Sequence, residues 1–207
     1  MKATILLLSM FATYPATYGK DTNPACVTIV RIPIPWYAPK FYVKSRMKKS
    51  VPEYQAASGL IYKYFTFGEN GTFGGIYLWK NRAAADAWFT PAWIQERSKK
   101  YGIEVTVPRY DVLAVSSARA STALLEGKFV ATLAKYESRQ AESRVAIVTR
   151  FKKEETERMT TPGLLRTYLI ETEPNQYAAI SLWEASVETE NQPGEKFRVP
   201  LAIANPG

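Results

Sequence analysis

One hairpin is written twice in this chain, and the duplication limits the folds open to it more than any other feature. Residues Gly59 to Trp79 (GLIYKYFTFGENGTFGGIYLW) read as two apolar strands around a turn at Asn70-Gly71. Asn-Gly tolerates the positive φ values of a two-residue hairpin turn. Shifted by 104 positions, the same frame falls without a gap on Gly163 to Trp183. Gly59/Gly163, Leu60/Leu164, Tyr64/Tyr168, Glu69/Glu173, Ile76/Ile180, Leu78/Leu182 and Trp79/Trp183 are identical. The offset holds upstream, where Arg46-Met47-Lys48-Lys49 lies over Arg150-Phe151-Lys152-Lys153 and Thr28 over Thr132. One constant offset through strand, helix and hairpin predicts two copies of one unit.

The first copy spans residues 26–115. Cys26 to Ile32 is a β-branched run and a first strand. Pro33 and Pro35 stop it from continuing as a central strand. The exit loop carries Ile34, Trp36 and Tyr37, an apolar set expected to cover something. Lys40 to Ser50 places Val43, Met47 and Val51 at helical spacing, with Pro52 ending or restarting the helix. After the hairpin, Asn81 caps an alanine-rich helix to Tyr101, kinked at Thr90-Pro91 and closed by Gly102. Glu104 to Val115, interrupted at Pro108, completes a β-α-β-β-α-β order, the ferredoxin-like split unit. Residues 116–128 read as a linker. The second copy, 129–207, has a strand from Phe129, a helix over Glu142 to Met159 with Val145, Val148 and Phe151 on one side, and the second hairpin. No second alanine-rich helix follows Trp183, only a short closing strand at Val199 to Ile203, so this copy reads as truncated.

Both hairpin strands are apolar on both parities: Ile61, Phe65 and Phe67 alternate with Tyr62 and Tyr64, and Ile76 and Leu78 with Tyr77 and Trp79. A sheet with helices on one face needs only one apolar parity, so the other face must also meet something dry. Two such sheets packed face to face with helices outside satisfy the pattern, and the duplication supplies the partner sheet. The expected fold is therefore α+β: two tandem ferredoxin-like (βαββαβ) repeats packed sheet to sheet, the second truncated.

Met1-Lys2 and the short apolar run Ile5 to Ala12, followed by small residues to Gly19, read as a secretory signal peptide over residues 1–19. The chain is expected to be exported, periplasmic or secreted, with no membrane contact after signal removal. Its single cysteine, Cys26, allows no intramolecular disulfide, so packing must supply the stability. A net charge of +8 favours acidic partners only weakly.

The residues Ser50-Val51-Pro52 before Gly59-Leu60-Ile61-Tyr62-Lys63, then Gly74-Gly75-Ile76-Tyr77-Leu78-Trp79, then Ala83-Ala84-Ala85 carry a family resemblance. At these positions the chain resembles the dimeric α+β barrel superfamily, and within it the antibiotic-biosynthesis-monooxygenase-like (ABM) proteins and their bacterial mono-oxygenase relatives. The resemblance covers residues 26–115 well and 129–183 loosely. It implies a pseudo-dimer fused in one chain, itself a monomer or a homodimer. It also implies oxygenation of a small, electron-rich aromatic or quinol-type substrate with no cofactor, whether flavin, haem or metal.

The chain has no histidine, which removes His-dependent triads, histidine-bound zinc and histidine-ligated haem. The glycines Gly68, Gly71, Gly74 and Gly75 lie in a hairpin rather than between strand and helix, which argues against phosphate binding. Chemistry without a cofactor asks the protein for a dry pocket, orientation and one group that handles a substrate anion. Trp79, Tyr64, Tyr77, Trp88 and Trp93 are candidate pocket residues between sheet and helices, with Trp36 as a lid. Lys63 or Arg31 could stabilise the developing anion. The competing reading of these aromatics is plain core, and of Lys63 a surface charge. An aromatic, basic sheet could also suit RNA, but export and the covering second sheet oppose it, so no nucleic acid is expected. A third reading is a non-catalytic exported barrel that binds a small apolar ligand or a partner protein.

Overall fold

A computed structural model describes residues 24–117, 124–185, 189 and 191–205. The expected signal peptide, 1–19, lies outside the described residues. The first repeat runs β1 (Cys26–Pro33), α1 (Lys40–Lys49), α2 (Val51–Gln55), β2 (Leu60–Gly68), β3 (Thr72–Trp79), α3 (Arg82–Trp88), α4 (Pro91–Tyr101) and β4 (Arg109–Ser117). The second runs β5 (Leu124–Tyr136), α5 (Arg144–Arg158), β6 (Leu164–Glu173), β7 (Gln176–Glu184) and β8 (Glu195–Ala204).

The eight strands close into one antiparallel barrel in the order β1-β3-β2-β8-β5-β7-β6-β4. Each repeat keeps the ferredoxin-like order, β4-β1-β3-β2 and β8-β5-β7-β6. The last strand of each repeat forms the seam with the second strand of the other, β4 with β6 and β8 with β2. Among the described residues closure gives every strand a neighbour on both sides, β1 meeting β4 over Cys26–Thr28, which reduces the open edge that is the usual liability of a strand. Inside sit Val27, Ile29, Tyr62, Tyr64, Ile76 and Leu78 with Tyr168, Ile180 and Leu182. Outside, the opposite parity of the same strands (Val30, Tyr77, Trp79) packs under α2, α3 and α4 with Phe89 and Ala85.

The duplication is visible in the backbone. Gly59 and Gly163 both take positive φ, 76° and 78°. Their carbonyls accept from Lys80 N and Glu184 N at 2.8 Å in both copies. A register shift follows in each, at Leu60/Tyr62 and Leu164/Arg166. Trp79 Nε1 donates to Thr28 Oγ1 at 3.2 Å, and Trp183 Nε1 to Thr132 Oγ1 at 3.3 Å. The hairpin turn differs from the expected two-residue form: Gly71, the last of three loop residues, carries the positive φ (71°). Asn175 (φ 62°) occupies the same position in copy two. A three-residue loop needs one left-handed residue at its end, which Gly or Asn can supply.

Other local expectations change, among them the start of the fourth strand: Glu104 to Val107 is not strand, and β4 begins at Arg109 just after Pro108. The helix from Arg82 is broken rather than kinked, because Thr90 starts a new cap for Trp93 N and Pro91 opens α4. The face that α5 buries is Ile147, Phe151 and Glu155, while Val145 is 76% exposed. Parts of the expected linker are strand, because β4 reaches Ser117 and β5 begins at Leu124, where it pairs with Ile203 of β8, while 118–123 lie outside the described residues. Backbone pairing there does not depend on the side-chain period that defines a strand in sequence.

Candidate active site

Lys63 lies at the centre of β2 on the parity that faces the helices, where a charged side chain is least expected. It is 2% exposed. Its Nζ sits 2.8 Å from the Tyr54 ring centroid, 3.9 Å from Phe65 and 4.6 Å from Tyr77. The space for its stem comes from Gly75 on β3. A Cβ there would lie 3.3 Å from Lys63 Cε and 3.1 Å from both the Tyr77 ring and the Tyr64 carbonyl oxygen. Burial pushes the Lys63 pKa well below its ordinary value, with the Glu53 carboxylate pulling weakly the other way. The amine is therefore driven toward its neutral form, which can accept a proton. Burial also holds the Tyr54 phenol up and the Tyr77 phenol well up, so both rings stay neutral.

A cavity of about 200 Å³ opens over this group. Lys63, Phe65, Tyr77, Val30 and Gly74 of the sheet form its floor, α1 and α2 supply Val43, Met47 and Tyr54, and α4 supplies Trp93 and Tyr101. Gly74 permits the close approach of β1, since any Cβ there would drive into the Val30 carbonyl oxygen. Arg46, Arg97 and Lys100 also line the cavity, against Glu53 as its only carboxylate. Aromatic walls, a desolvated amine and a cationic fringe can hold a planar ring and favour its anion.

Of the candidates read from sequence, Lys63, Tyr77 and Trp93 come together in this cavity. Tyr64 lies on the opposite parity, inside the barrel, where its hydroxyl meets that of Tyr168 at 2.9 Å. Trp79 is fully buried under α3 and stacks on Tyr77 at 6.3 Å, so it backs the wall without lining it. Trp88 packs on Tyr54 and Trp79, and its buried Nε1 has no hydrogen-bond partner among the described residues. Arg31 forms a two-point pair with Glu195 (2.9 and 2.7 Å) over the Phe197 ring, tying β1 to β8. Trp36, 95% exposed, does not close over the cavity. Sequence reasoning passed over Tyr54, Arg46, Arg97 and Lys100. Trp93, Arg97 and Lys100 follow i, i+4, i+7 spacing on α4, a signal that following that face would have shown.

The second repeat closes the equivalent place. Thr167 stands where Lys63 does, Ser181 for Tyr77 and Ala179 for Gly75. Buried Glu155, in the position of Val51, accepts from Thr167 Oγ1 at 2.7 Å and pairs with Arg158. One cavity of this kind is described, and it belongs to the first repeat.

Eight strands in two ferredoxin-like repeats thus form an α+β barrel that carries an aromatic cavity on the first repeat. Residues 29–122, the repeat that holds the cavity, are similar to the family described as putative mono-oxygenase ydhR. No curated protein matches the chain. Among solved structures, a putative monooxygenase from Lactobacillus acidophilus NCFM superposes with TM-score 0.59 at 17% identity, covering 88% of this chain and 98% of that one. A putative monooxygenase from Fusobacterium nucleatum gives TM-score 0.58 at 11% identity over 88% and 95%. An anthrone oxidase-like protein gives 0.54 at 10% identity over 88% and 94%. At such identities the likeness is one of fold.

Proposed function

We propose that this protein is an exported, cofactor-independent monooxygenase acting on a small phenol or quinol-type aromatic bound in the cavity of the first repeat. The observation that carries the reading is the buried Lys63 amine at the floor of an aromatic cavity, where burial lowers its pKa. In this reading Lys63 Nζ accepts the ring hydroxyl proton. The resulting anion, held beside Arg46, Arg97 and Lys100, passes electrons to O2 from its own ring. The activated ring carbon forms a C–O bond, and one oxygen atom leaves as water with the C–H proton and the proton that Lys63 returns. A phenol plus O2 becomes a quinone plus H2O, so no external reductant is required. Stacked aromatic walls exclude water while the anion exists. The match of residues 29–122 to a mono-oxygenase family and the likeness to an anthrone oxidase-like protein support the reaction class.

The test is oxygen uptake with phenol and hydroquinone panels, with incorporation of labelled oxygen from 18O2 into the product. Uptake that disappears in Lys63→Met supports the reading; no uptake with any member overturns it. The second reading, a non-catalytic barrel that binds a small apolar ligand, is favoured by the second repeat, where buried Glu155 and Thr167 are hydrogen-bonded to each other at the positions of Val51 and Lys63. Saturable binding of the same aromatics without oxygen uptake would select it.

A further inference from the structure

Between β1 and the end of α1, four aromatic side chains stay largely exposed among the described residues. Trp36 is 95% exposed, Tyr37 70%, Phe41 76% and Tyr42 53%. Only Val43 and Met47 of α1 are buried. Between Pro33 and Pro52 there is no Asp or Glu, whereas Lys40, Lys44, Arg46, Lys48 and Lys49 supply five cations. Exposure is built in rather than left to chance. Ile34 N donates to the Gly71 carbonyl at 2.9 Å and Ala38 N to the Pro35 carbonyl at 2.8 Å, and prolines stand at positions 33, 35 and 39.

We propose that residues 34–49 form a docking surface for the headgroup region of an anionic lipid membrane. Trp and Tyr have an apolar body and a polar tip, which suits the boundary between acyl chains and water. Lysines reach outward from such a surface to anionic headgroups while their stems lie along apolar ground. The same combination of basic and aromatic side chains marks helices that lie on membranes without crossing them. A second copy of this chain fits less well, because a two-fold contact would set five cations against five of the same sign. A single-stranded nucleic acid also fits less well. Its bases need flat aromatic faces, and Trp36 and Tyr37 instead meet edge to face, 5.8 Å apart at 86°. The expectation of no membrane contact came from the absence of a spanning segment, which says nothing about a surface of this kind. The inference is independent of any oxygenase activity.

Co-sedimentation of the full chain with phosphatidylcholine vesicles, with and without 30% phosphatidylglycerol, tests it (about one third anionic lipid, a typical membrane-surface mimic). Because residues 5–12 are themselves apolar, the readout is the difference between the native chain and patch variants. Anionic vesicles should bind the native chain at least about ten-fold more tightly than neutral ones, with most of that lost in high salt. Trp36→Ser/Phe41→Ser and Lys40→Glu/Lys44→Glu should each weaken binding by about ten-fold or more while circular dichroism stays native. Brominated lipid should quench the exposed Trp36 in the native chain and not in the charge-reversed variant. Native-like binding by both variants overturns the proposal. So does a gel-filtration dimer that Trp36→Ser/Phe41→Ser splits, or displacement of the native chain from vesicles only by oligonucleotide.

Discussion

Tyr64 and Tyr168 occupy the same position in the two repeats, and their hydroxyls meet at 2.9 Å inside the barrel. A residue that touches its own repeat equivalent lies on the axis relating the halves, so the pseudo-two-fold axis passes between these oxygens. Around them, Arg166 lies over the Tyr62 ring at 4.4 Å and donates to Ser117 Oγ at 2.6 Å. Burial works against the Arg166 charge, but the Tyr168 and Tyr64 hydroxyls outweigh it and hold its pKa above the ordinary value.

Replacing either phenol should leave the other's buried hydroxyl one partner short. Tyr64→Phe and Tyr168→Phe should each cost about 1–3 kcal/mol. The double variant should cost less than the sum, because both orphaned groups are then gone. Urea unfolding of the four proteins checks this, and strict additivity would refute a direct coupling.

Lys63 predicts an unusual pH dependence. Its folded pKa lies well below the ordinary 10.5, so the unfolded chain binds more protons over the interval between the two values. Native stability should therefore rise with pH through that interval and fall as pH drops through the folded pKa. Lys63→Met should remove the slope, and at pH 7 should be more stable than the native chain by about 1–3 kcal/mol while losing the proposed activity. Denaturant midpoints at pH 7 and pH 10 measure both effects. A variant destabilised at both pH values would show that the amine is held as a paired cation.

Glu155 is 1% exposed and depends on Thr167 and Arg158 for compensation. Thr167→Val should cost about 1–3 kcal/mol by leaving a carboxylate oxygen short of a donor. Arg158→Met should cost about 3–5 kcal/mol, since it leaves the buried charge unpaired. The combination Glu155→Val/Thr167→Val should recover most of the loss, because valine stands at position 51 of the first repeat. Thermal melts of the variants test the ranking.

Arg150, midway along α5, holds Glu142, just ahead of the helix, through Nε at 2.8 Å and Nη2 at 2.9 Å. This pairing pulls the Glu142 pKa from 4.5 down to about 2. Its contribution is present above pH 4.5 and is lost as pH falls toward 2. Glu142→Gln should lower stability at neutral pH and flatten the acid limb of the stability profile, leaving native and variant alike near pH 2. Unfolding midpoints between pH 2 and 6, a range bracketing ordinary carboxylates, check the direction.

The repeat, the order of elements, the caps at Asn81 and Gly102 and the truncation of copy two were legible in the sequence because each depends on residues close in the chain or on one constant offset. The candidate site was legible in part. Lys63, Tyr77 and Trp93 converge, but Tyr64 and Trp79 divide between the inside and the outer core although both come from one hairpin. When both parities of a strand are apolar, alternation cannot say which parity meets the helices and which meets the other sheet. That choice is made by closure: β8 pairs with β2 and β4 with β6, across the whole length of the chain. Local chemistry alone determined that this chain builds two matching hairpin units. Only the long-range pairing of their strands decided that one lysine would be buried beneath helices, where desolvation, rather than any neighbour in sequence, makes it chemically distinctive.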